Sequence, residues 1–226
     1  VTYFRSNIVN DAVIFNITGT NQFLEGNTSP SNQYNGNVSF NINDVLPVYI
    51  SYISPSQYNG NLTVSRTVAG GTSMFNAGGT VTGNYTFTNN AGGGTGIGNI
   101  GVKTSIGGTV TVTANNPSPA VFEMYRLVNQ TTGGSINVQN TIGFIVQADT
   151  LLLNSMSITG YVTGQYGRLW NNNITGNITI ADDAGYAGGY NTSVRNNLIT
   201  GNSTFSNNGS NNFLEGDVAA TGNVYN

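Results

Sequence analysis

Two carboxylates have the spacing that acid–base chemistry could use. Glu123 and Asp149 each lie 13 residues after the start of a short apolar–polar–apolar segment, and Arg168 lies 12 residues after a third. If these segments stack, the two carboxyl groups would lie about 5 Å apart, which suits a retaining glycosidase. The alternative without catalysis is a pair of surface carboxylates neutralised by Arg126 or Arg168. We favour that alternative, because a slip of one residue would move a side chain to the other face, and we predict no catalytic residues.

A second acidic candidate is Asp182-Asp183, which directly follows a predicted strand. Neighbouring carbonyl groups could complete a calcium site there. Calcium-binding solenoids, however, repeat the aspartate in every turn, and this chain does not. The sequence therefore favours a plain turn, and we predict no metal and no cofactor.

Aromatic and hydroxyl side chains offer binding rather than catalysis. Tyr58 and five later aromatics could stack on sugar rings, although most should pack into the core or the bends. We predict glycan contact by an exposed subset of the later five, which are Tyr161, Tyr166, Trp170, Tyr186 and Tyr190. A predicted outward row consists of Ser39, Thr63, Thr86 and Thr111, with Thr88, Thr109 and Thr113 beside it. Regular threonine arrays can bind ice, so ice binding is an alternative function, although Asn137 interrupts the row.

The composition narrows the classes of function further. There is no Cys and no His, which removes thiol chemistry and histidine-based acid–base catalysis. Only 7% of residues are charged and the net charge is −3, so no basic groove for nucleic acid is expected. No apolar run is long enough to insert into a membrane. The chain instead has 37 Asn and 31 Gly among many β-formers.

A short internal repeat predicts the elements that position these residues. Each copy alternates apolar, small polar and apolar residues, as in Val38-Ser39-Phe40, and this is the pattern of a strand with one buried face. Copies recur about every 24 residues, which suits one turn of a parallel β-solenoid. We predict an all-β parallel β-helix, right-handed, with about nine turns of 20–26 residues. The first apolar positions are Val13, Val38, Leu62, Tyr85, Val110, Ile136, Met156, Ile178 and Ser203.

The sequence also contains a longer repeat, which spans several copies of the short one. Residues 5–26 align without a gap with residues 195–216, and the block Phe23-Leu24-Glu25-Gly26 returns as Phe213-Leu214-Glu215-Gly216. The offset of 190 residues predicts a super-repeat of eight turns. We therefore expect residues 1–226 to be one continuous solenoid segment, a fragment of a longer chain with further repeats at both ends.

The Gly-Asn-x-(Thr/Ser)-x strand motif, and stretches such as Lys103-Thr104-Ser105-Ile106-Gly107-Gly108, resemble repeats of large surface adhesins of gliding bacteria. Type IX secretion exports that family. The resemblance implies a secreted, cell-surface shaft for attachment or gliding, with the secretion machinery and surface glycans or abiotic surfaces as partners. It also implies O-glycosylation of Asp-(Ser/Thr)-apolar triplets, which makes Thr150 a candidate. A carbohydrate-active or carbohydrate-binding β-helix is the alternative function.

Overall fold

The chain coils into a stack of parallel strands with three faces. The computed structural model describes residues 1–115, 120–161, 167–182, 191–209, 212–216 and 222–226. Every pairing between strands in these ranges is parallel, and consecutive coils lie one above the other, which confirms the predicted β-solenoid. The part of the chain that the structure describes contains no helix that could cross a membrane.

Each coil crosses the three faces in the same order. Face 1 is a sheet of ten strands: Thr2–Phe4, Phe23–Glu25, Val48–Ile50, Thr72–Met74, Thr95–Gly98, Val121–Tyr125, Gly143–Gln147, Gly167–Trp170, Thr192–Arg195 and Phe213–Glu215. Face 2 has Ile8–Val9, Gln33–Tyr34, Ser56–Tyr58, Gly79–Val81, Thr104–Ile106, Leu127–Asn129, Leu198–Thr200 and Val224–Tyr225. Face 3 has Val13–Gly19, Val38–Asp44, Leu62–Arg66, Tyr85–Asn89, Val110–Asn115, Ser135–Gln139 and Ser203–Ser206. Two long strands, Thr150–Tyr161 and Asn173–Asp182, run from face 2 into face 3.

The register follows the short repeat with one slip. Val38 pairs with Leu62, Leu62 with Tyr85, and Tyr85 with Val110, as the apolar pattern predicts. The next step is different, because Ile136 pairs with Val112 rather than with Val110. A slip of two residues keeps every side chain on its own side of the sheet, so the inward and outward positions are unchanged.

The core is a continuous column of apolar side chains inside the coil. On face 3, Phe40, Val64, Phe87 and Val112 stack on successive rungs, and all four are fully buried. Burying one such side chain contributes about 1.5–3 kcal/mol. Because each rung covers the one below, the core is as long as the stack rather than being a single central cluster.

A residue with positive φ lies at or just after the end of face 1 in successive coils. This backbone angle turns the chain inward toward face 2, and glycine adopts it at the lowest cost. Only some coils use glycine; others place Phe75 or Ala148 in this conformation, at φ 56° and 61°. The set is Ser6, Gly26, Ser51, Phe75, Gly98, Arg126, Ala148, Asn171, Asn196 and Gly216.

The Gly-Asn pairs before the face 3 strands have a different physical reason. Gly60 and Gly83 have no positive φ, but a Cβ atom at either would lie under 3 Å from the glycine of the preceding coil. Close approach of backbones therefore selects glycine here. The asparagine that follows the glycine joins successive coils by a hydrogen bond. The side-chain oxygen of Asn61, for example, accepts the backbone N–H of Asn84 over 2.8 Å.

Replacing Ala148 by glycine should raise the free energy of unfolding by about 1 kcal/mol, because the left-handed backbone strains a Cβ atom. Urea denaturation followed by circular dichroism measures the change. Ala12, which is exposed and has no positive φ, provides the control: Ala12→Gly should lower stability by about 0.5–1 kcal/mol through added freedom of the unfolded chain. Equal effects of the two substitutions would contradict the strain at Ala148.

Candidate functional site

The outward row of hydroxyl side chains on face 3 is confirmed. Ser39, Thr63, Thr86 and Thr111 lie on successive rungs of one ladder. Thr88 and Thr113 form the adjacent column on the same strands, two residues further along. Rungs are about 4.8 Å apart and alternate residues about 7 Å apart, so these hydroxyl groups form a regular grid.

The second outward column extends over all nine rungs of face 3 and contains no charged residue. Its members are exposed or half-buried, and every one is an amide or a hydroxyl side chain. They are Asn16, Asn41, Ser65, Thr88, Thr113, Asn137, Ser157, Thr179 and Thr204. Face 3 therefore presents a long, neutral, hydrogen-bonding surface.

Face 1 has a different surface around Trp170. The guanidinium carbons of Arg195 and Arg168 lie 3.4 Å and 4.4 Å from the centre of the indole ring. The indole N–H donates to the Ser193 hydroxyl over 3.0 Å. Cation–π attraction of this kind fixes the ring against the sheet. A sugar stacking on the ring face under Arg195 would have to displace that guanidinium.

The remaining aromatic candidates and the glycosylation candidate Thr150 lie in different surroundings or outside the described residues. Tyr58 is fully buried and faces the core, as expected for most of these aromatics, so it cannot stack on a sugar ring. Tyr161 ends a strand, but its side chain lies outside the described residues, as do Tyr166, Tyr186 and Tyr190. Thr150 is half-buried at the start of the strand Thr150–Tyr161, and its glycosylation stays a prediction.

Glu123 and Asp149 do not stack, and the favoured alternative of two surface carboxylates is wrong for Asp149, which is buried. Glu123 lies on face 1, where its ladder partners are Gly96 and Ile145. Asp149 lies past the end of face 1 and is 1% exposed. Asp149 lies four residues beyond Ile145, the partner of Glu123. The register slip at Ile136 accounts for two of these residues, and a connection from face 3 to face 1 that is two residues shorter in the next coil accounts for the other two.

Asp149 belongs to a buried polar ladder at the corner between faces 1 and 2. The side-chain oxygens of the three asparagines above it accept backbone N–H groups of the preceding coil over 2.9–3.0 Å. Their side-chain nitrogens donate over 2.7–2.9 Å to the carbonyl groups of Val146, Leu169 and Val194, which are neighbours on face 1. The three asparagines are Asn172, Asn197 and Asn223.

Asp149 takes an asparagine position in this ladder. Its Oδ1 accepts the Leu127 N–H over 2.6 Å, as the amide oxygens do. Its Oδ2 has no hydrogen-bond partner and holds the place of the amide nitrogen. An amide nitrogen at this place in the ladder would donate to the carbonyl of Met124, the neighbour of Val146 on face 1. Burial raises the pKa of Asp149 to about 8, against the opposing backbone N–H groups of Leu127 and Gln147. Protonation of Oδ2 would supply the hydrogen that an amide nitrogen supplies elsewhere in the ladder.

Glu25 is a second buried carboxylate, which the sequence did not single out as a site. Its side chain is fully buried and accepts five hydrogen bonds. Three of the five donors come from the next coil, so the carboxylate joins two coils. The donors are Asn32 Nδ2, Tyr34 OH at 3.0 Å, Ser56 Oγ at 2.6 Å, the Ser51 N–H at 2.7 Å and Tyr58 OH at 3.1 Å. The sequence signal that could have indicated Glu25 is the return of Phe-Leu-Glu-Gly in the long repeat.

Asp182 holds a loop together. Its carboxylate accepts the backbone N–H groups of Asn208 and Gly209, and Asp183 lies outside the described residues. In the described ranges, no group of three or more acidic side chains is placed to hold a metal ion. Glu25 and Asp149 do not face solvent, because both are buried. Their hydrogen bonds contact the coil itself, so we assign both carboxyl groups a structural role.

Comparison of the chain with protein-family models, curated protein sequences and solved structures found no match. Its function therefore has to be argued from its own geometry.

Proposed function

We propose that this chain is a segment of the structural and adhesive shaft of a secreted bacterial surface filament. The observation that carries the proposal is the uninterrupted stack of ten face 1 strands, which gives a rod roughly 40 Å long. A rod whose coils repeat can be lengthened without a new fold. The resemblance to surface adhesins of gliding bacteria supports secretion, a cell-surface location and a role in attachment or gliding.

Face 3 supplies the contact surface in this proposal. Its two outward columns contain only uncharged polar side chains except for the apolar Ile14, and those polar side chains can donate or accept hydrogen bonds. Such a surface suits polysaccharides and hydrated abiotic surfaces, because many weak contacts add along a rigid array. Surface glycans are therefore the partner class that the shaft would meet.

Retention of chain-coated beads under flow tests the proposal on glass and on polysaccharide films. Placing two lysines on face 3, by Thr63→Lys and Thr111→Lys, should reduce retention about fivefold, as expected from a loss of about 1 kcal/mol. Charged side chains there would interrupt the neutral array. Retention equal to that of uncoated beads on every surface would refute the adhesive function.

The matched control places the same charges on face 2. Gln57 and Ser105 are also outward residues two rungs apart, since both pair with Thr80. Gln57→Lys with Ser105→Lys should leave retention close to that of the unmodified chain. Equal losses in the two double variants would assign the effect to net charge and not to face 3.

The hydroxyl grid of face 3 favours ice binding as a second candidate. The rungs that carry Thr86 with Thr88 and Thr111 with Thr113 place four threonines in a flat rectangle. Thermal hysteresis of the chain in solution tests this function, and Thr86→Leu should abolish any hysteresis that depends on the grid. Hysteresis no greater than that of serum albumin would exclude it.

A further inference from the structure

The last coil presents an open copy of a cluster that is buried near the first coil. Phe205 and Phe213 lie 5.5 Å apart in a tilted arrangement, and their counterparts Phe15 and Phe23 lie 6.0 Å apart, also tilted. Phe205 meets Tyr225 edge-on at 6.4 Å, as Phe15 meets Tyr34 at 6.2 Å.

A carboxylate completes both clusters. Tyr225 OH and Asn223 Nδ2 donate to Glu215 Oε1 over 3.4 Å and 3.1 Å. Tyr34 and Asn32 donate to Glu25 in the same way. The long repeat is therefore reproduced in side-chain geometry and not only in sequence.

The two clusters differ in what covers them. Phe40 stacks on Phe15 at 4.8 Å and 9°, and Tyr58 stacks on Tyr34 at 5.0 Å and 2°. The same coil supplies three of the five donors to Glu25. As a result Tyr34 is fully buried.

Nothing in the described residues covers the second cluster. Tyr225 is 43% exposed, and the described partners of Glu215 are the two on its own coil. A cavity of about 520 Å³ opens over the cluster, lined by Gly201, Asn202, Ser203, Phe205, Phe213, Glu215 and Tyr225.

We propose that this surface binds one further β-solenoid coil, followed by the first strand of the next, with the sequence pattern of residues 36–66. Such a coil places an aromatic ring on Phe205, as Phe40 does on Phe15. It also brings a backbone N–H, a serine and a tyrosine to Glu215, as Ser51, Ser56 and Tyr58 do to Glu25. Binding buries the aromatic rings and pairs the open strand edges.

The first coil of a second intact copy fits this surface less well. Its Asn7 and Val9 hold the ladder positions of Ser56 and Tyr58. Val9 has no hydroxyl group to donate to Glu215 and no ring to stack on Tyr225. Pairing of a further coil with this surface does not require that the rod be adhesive.

The test adds a second copy of residues 36–66 directly after Asn226, because Val224-Tyr225-Asn226 matches Gln33-Tyr34-Asn35. Hydrogen exchange at the amides of residues 203–206 and 222–226 should slow at least about tenfold in the extended chain. Exchange at residues 110–115, in the middle of the rod, should be unchanged and reports that the original chain is folded.

The matched control is the same extension with the added copies of Phe40 and Tyr58 both changed to serine. It should leave exchange at residues 222–226 at the rate of the unextended chain. Equal protection by both extensions, or none by either, would overturn the proposal. So would a head-to-tail dimer of the unextended chain in sedimentation velocity, because it would make a second copy the occupant. Bead retention is a separate readout that none of these outcomes changes.

Discussion

Replacing Asp149 by asparagine is expected to stabilise the rod by about 2–4 kcal/mol above pH 8. The amide would donate to a carbonyl group of face 1, and it would complete the ladder formed by Asn172, Asn197 and Asn223. It would also remove a buried charge. Urea unfolding of both proteins, measured between pH 3 and pH 9, gives the difference directly.

The gain should depend on pH with a definite sign. Burial raises the pKa of Asp149 to about 8, whereas an aspartate in the unfolded chain has a pKa of about 3.9. The folded state therefore holds a proton that the unfolded state has lost between these values. Stability of the unmodified chain from this group is full below pH 4 and is lost progressively as pH rises to about 8. Asp149→Asn should lack this dependence.

The exposed carboxylate Asp11 provides the control for charge removal. Asp11→Asn should change stability by less than about 0.5 kcal/mol at either pH. At pH 3, where Asp149 is protonated in both states, Asp149→Asn should differ from the unmodified chain by less than about 1 kcal/mol. A difference that is constant from pH 3 to pH 9 would contradict the protonated carboxyl in the ladder.

Removing the Glu25 carboxylate should destabilise the rod by about 4 kcal/mol. Glu25→Ala leaves five donors without their acceptor inside the coil, and each unpaired buried group costs about 1–3 kcal/mol before the cavity relaxes. Because the donors belong to two coils, hydrogen exchange should accelerate first in Gln33–Tyr34 and Ser56–Tyr58.

The chain contains its own control for this substitution. Glu215 has the same sequence context but is exposed and has only Asn223 and Tyr225 as described partners. Glu215→Ala should therefore change stability by less than about 0.5 kcal/mol. If Glu25→Ala lowers the free energy of unfolding as little as Glu215→Ala does, the five hydrogen bonds do not stabilise the packing of one coil on the next.

The fold followed from the sequence because one physical rule repeats in every coil. Alternation at Val38-Ser39-Phe40 fixes which side chains face inward, and the same rule at Leu62-Thr63-Val64 fixes the rung above it. The slip at Ile136 escaped the pattern, since alternation is unchanged by a shift of two residues.

The buried polar sites could not be predicted in the same way. Arg66 holds the inward position of Ile42 on the next rung, two residues beyond the repeated segment Leu62-Thr63-Val64. Its guanidinium donates to the carbonyl groups of Val68 and Gly71 over 2.8 Å, so it fixes the loop between faces 3 and 1. Such a contact depends on where a loop folds back, and residue periodicity carries no information about that path.

Asp149 illustrates the same difficulty for chemistry. Its spacing from Glu123 suggested a catalytic pair, but the corner ladder takes it out of solvent. The outward hydroxyl row was predictable because it lies on regular strands, where Thr86 pairs with Thr111. Residues of the repeated apolar–polar–apolar segments were therefore placed correctly, whereas Asp149 at its corner was not.

The stacking of each coil only on its neighbours has a mechanical consequence. Partners on adjacent rungs of face 1 are 21–27 residues apart, so a coil that detaches under tension releases about 70–90 Å of chain. The remaining coils keep their own ladders and core. When the rod is pulled from its two ends, it should lengthen in discrete steps and dissipate work at each step. A tether built from it would therefore extend coil by coil before its covalent chain breaks.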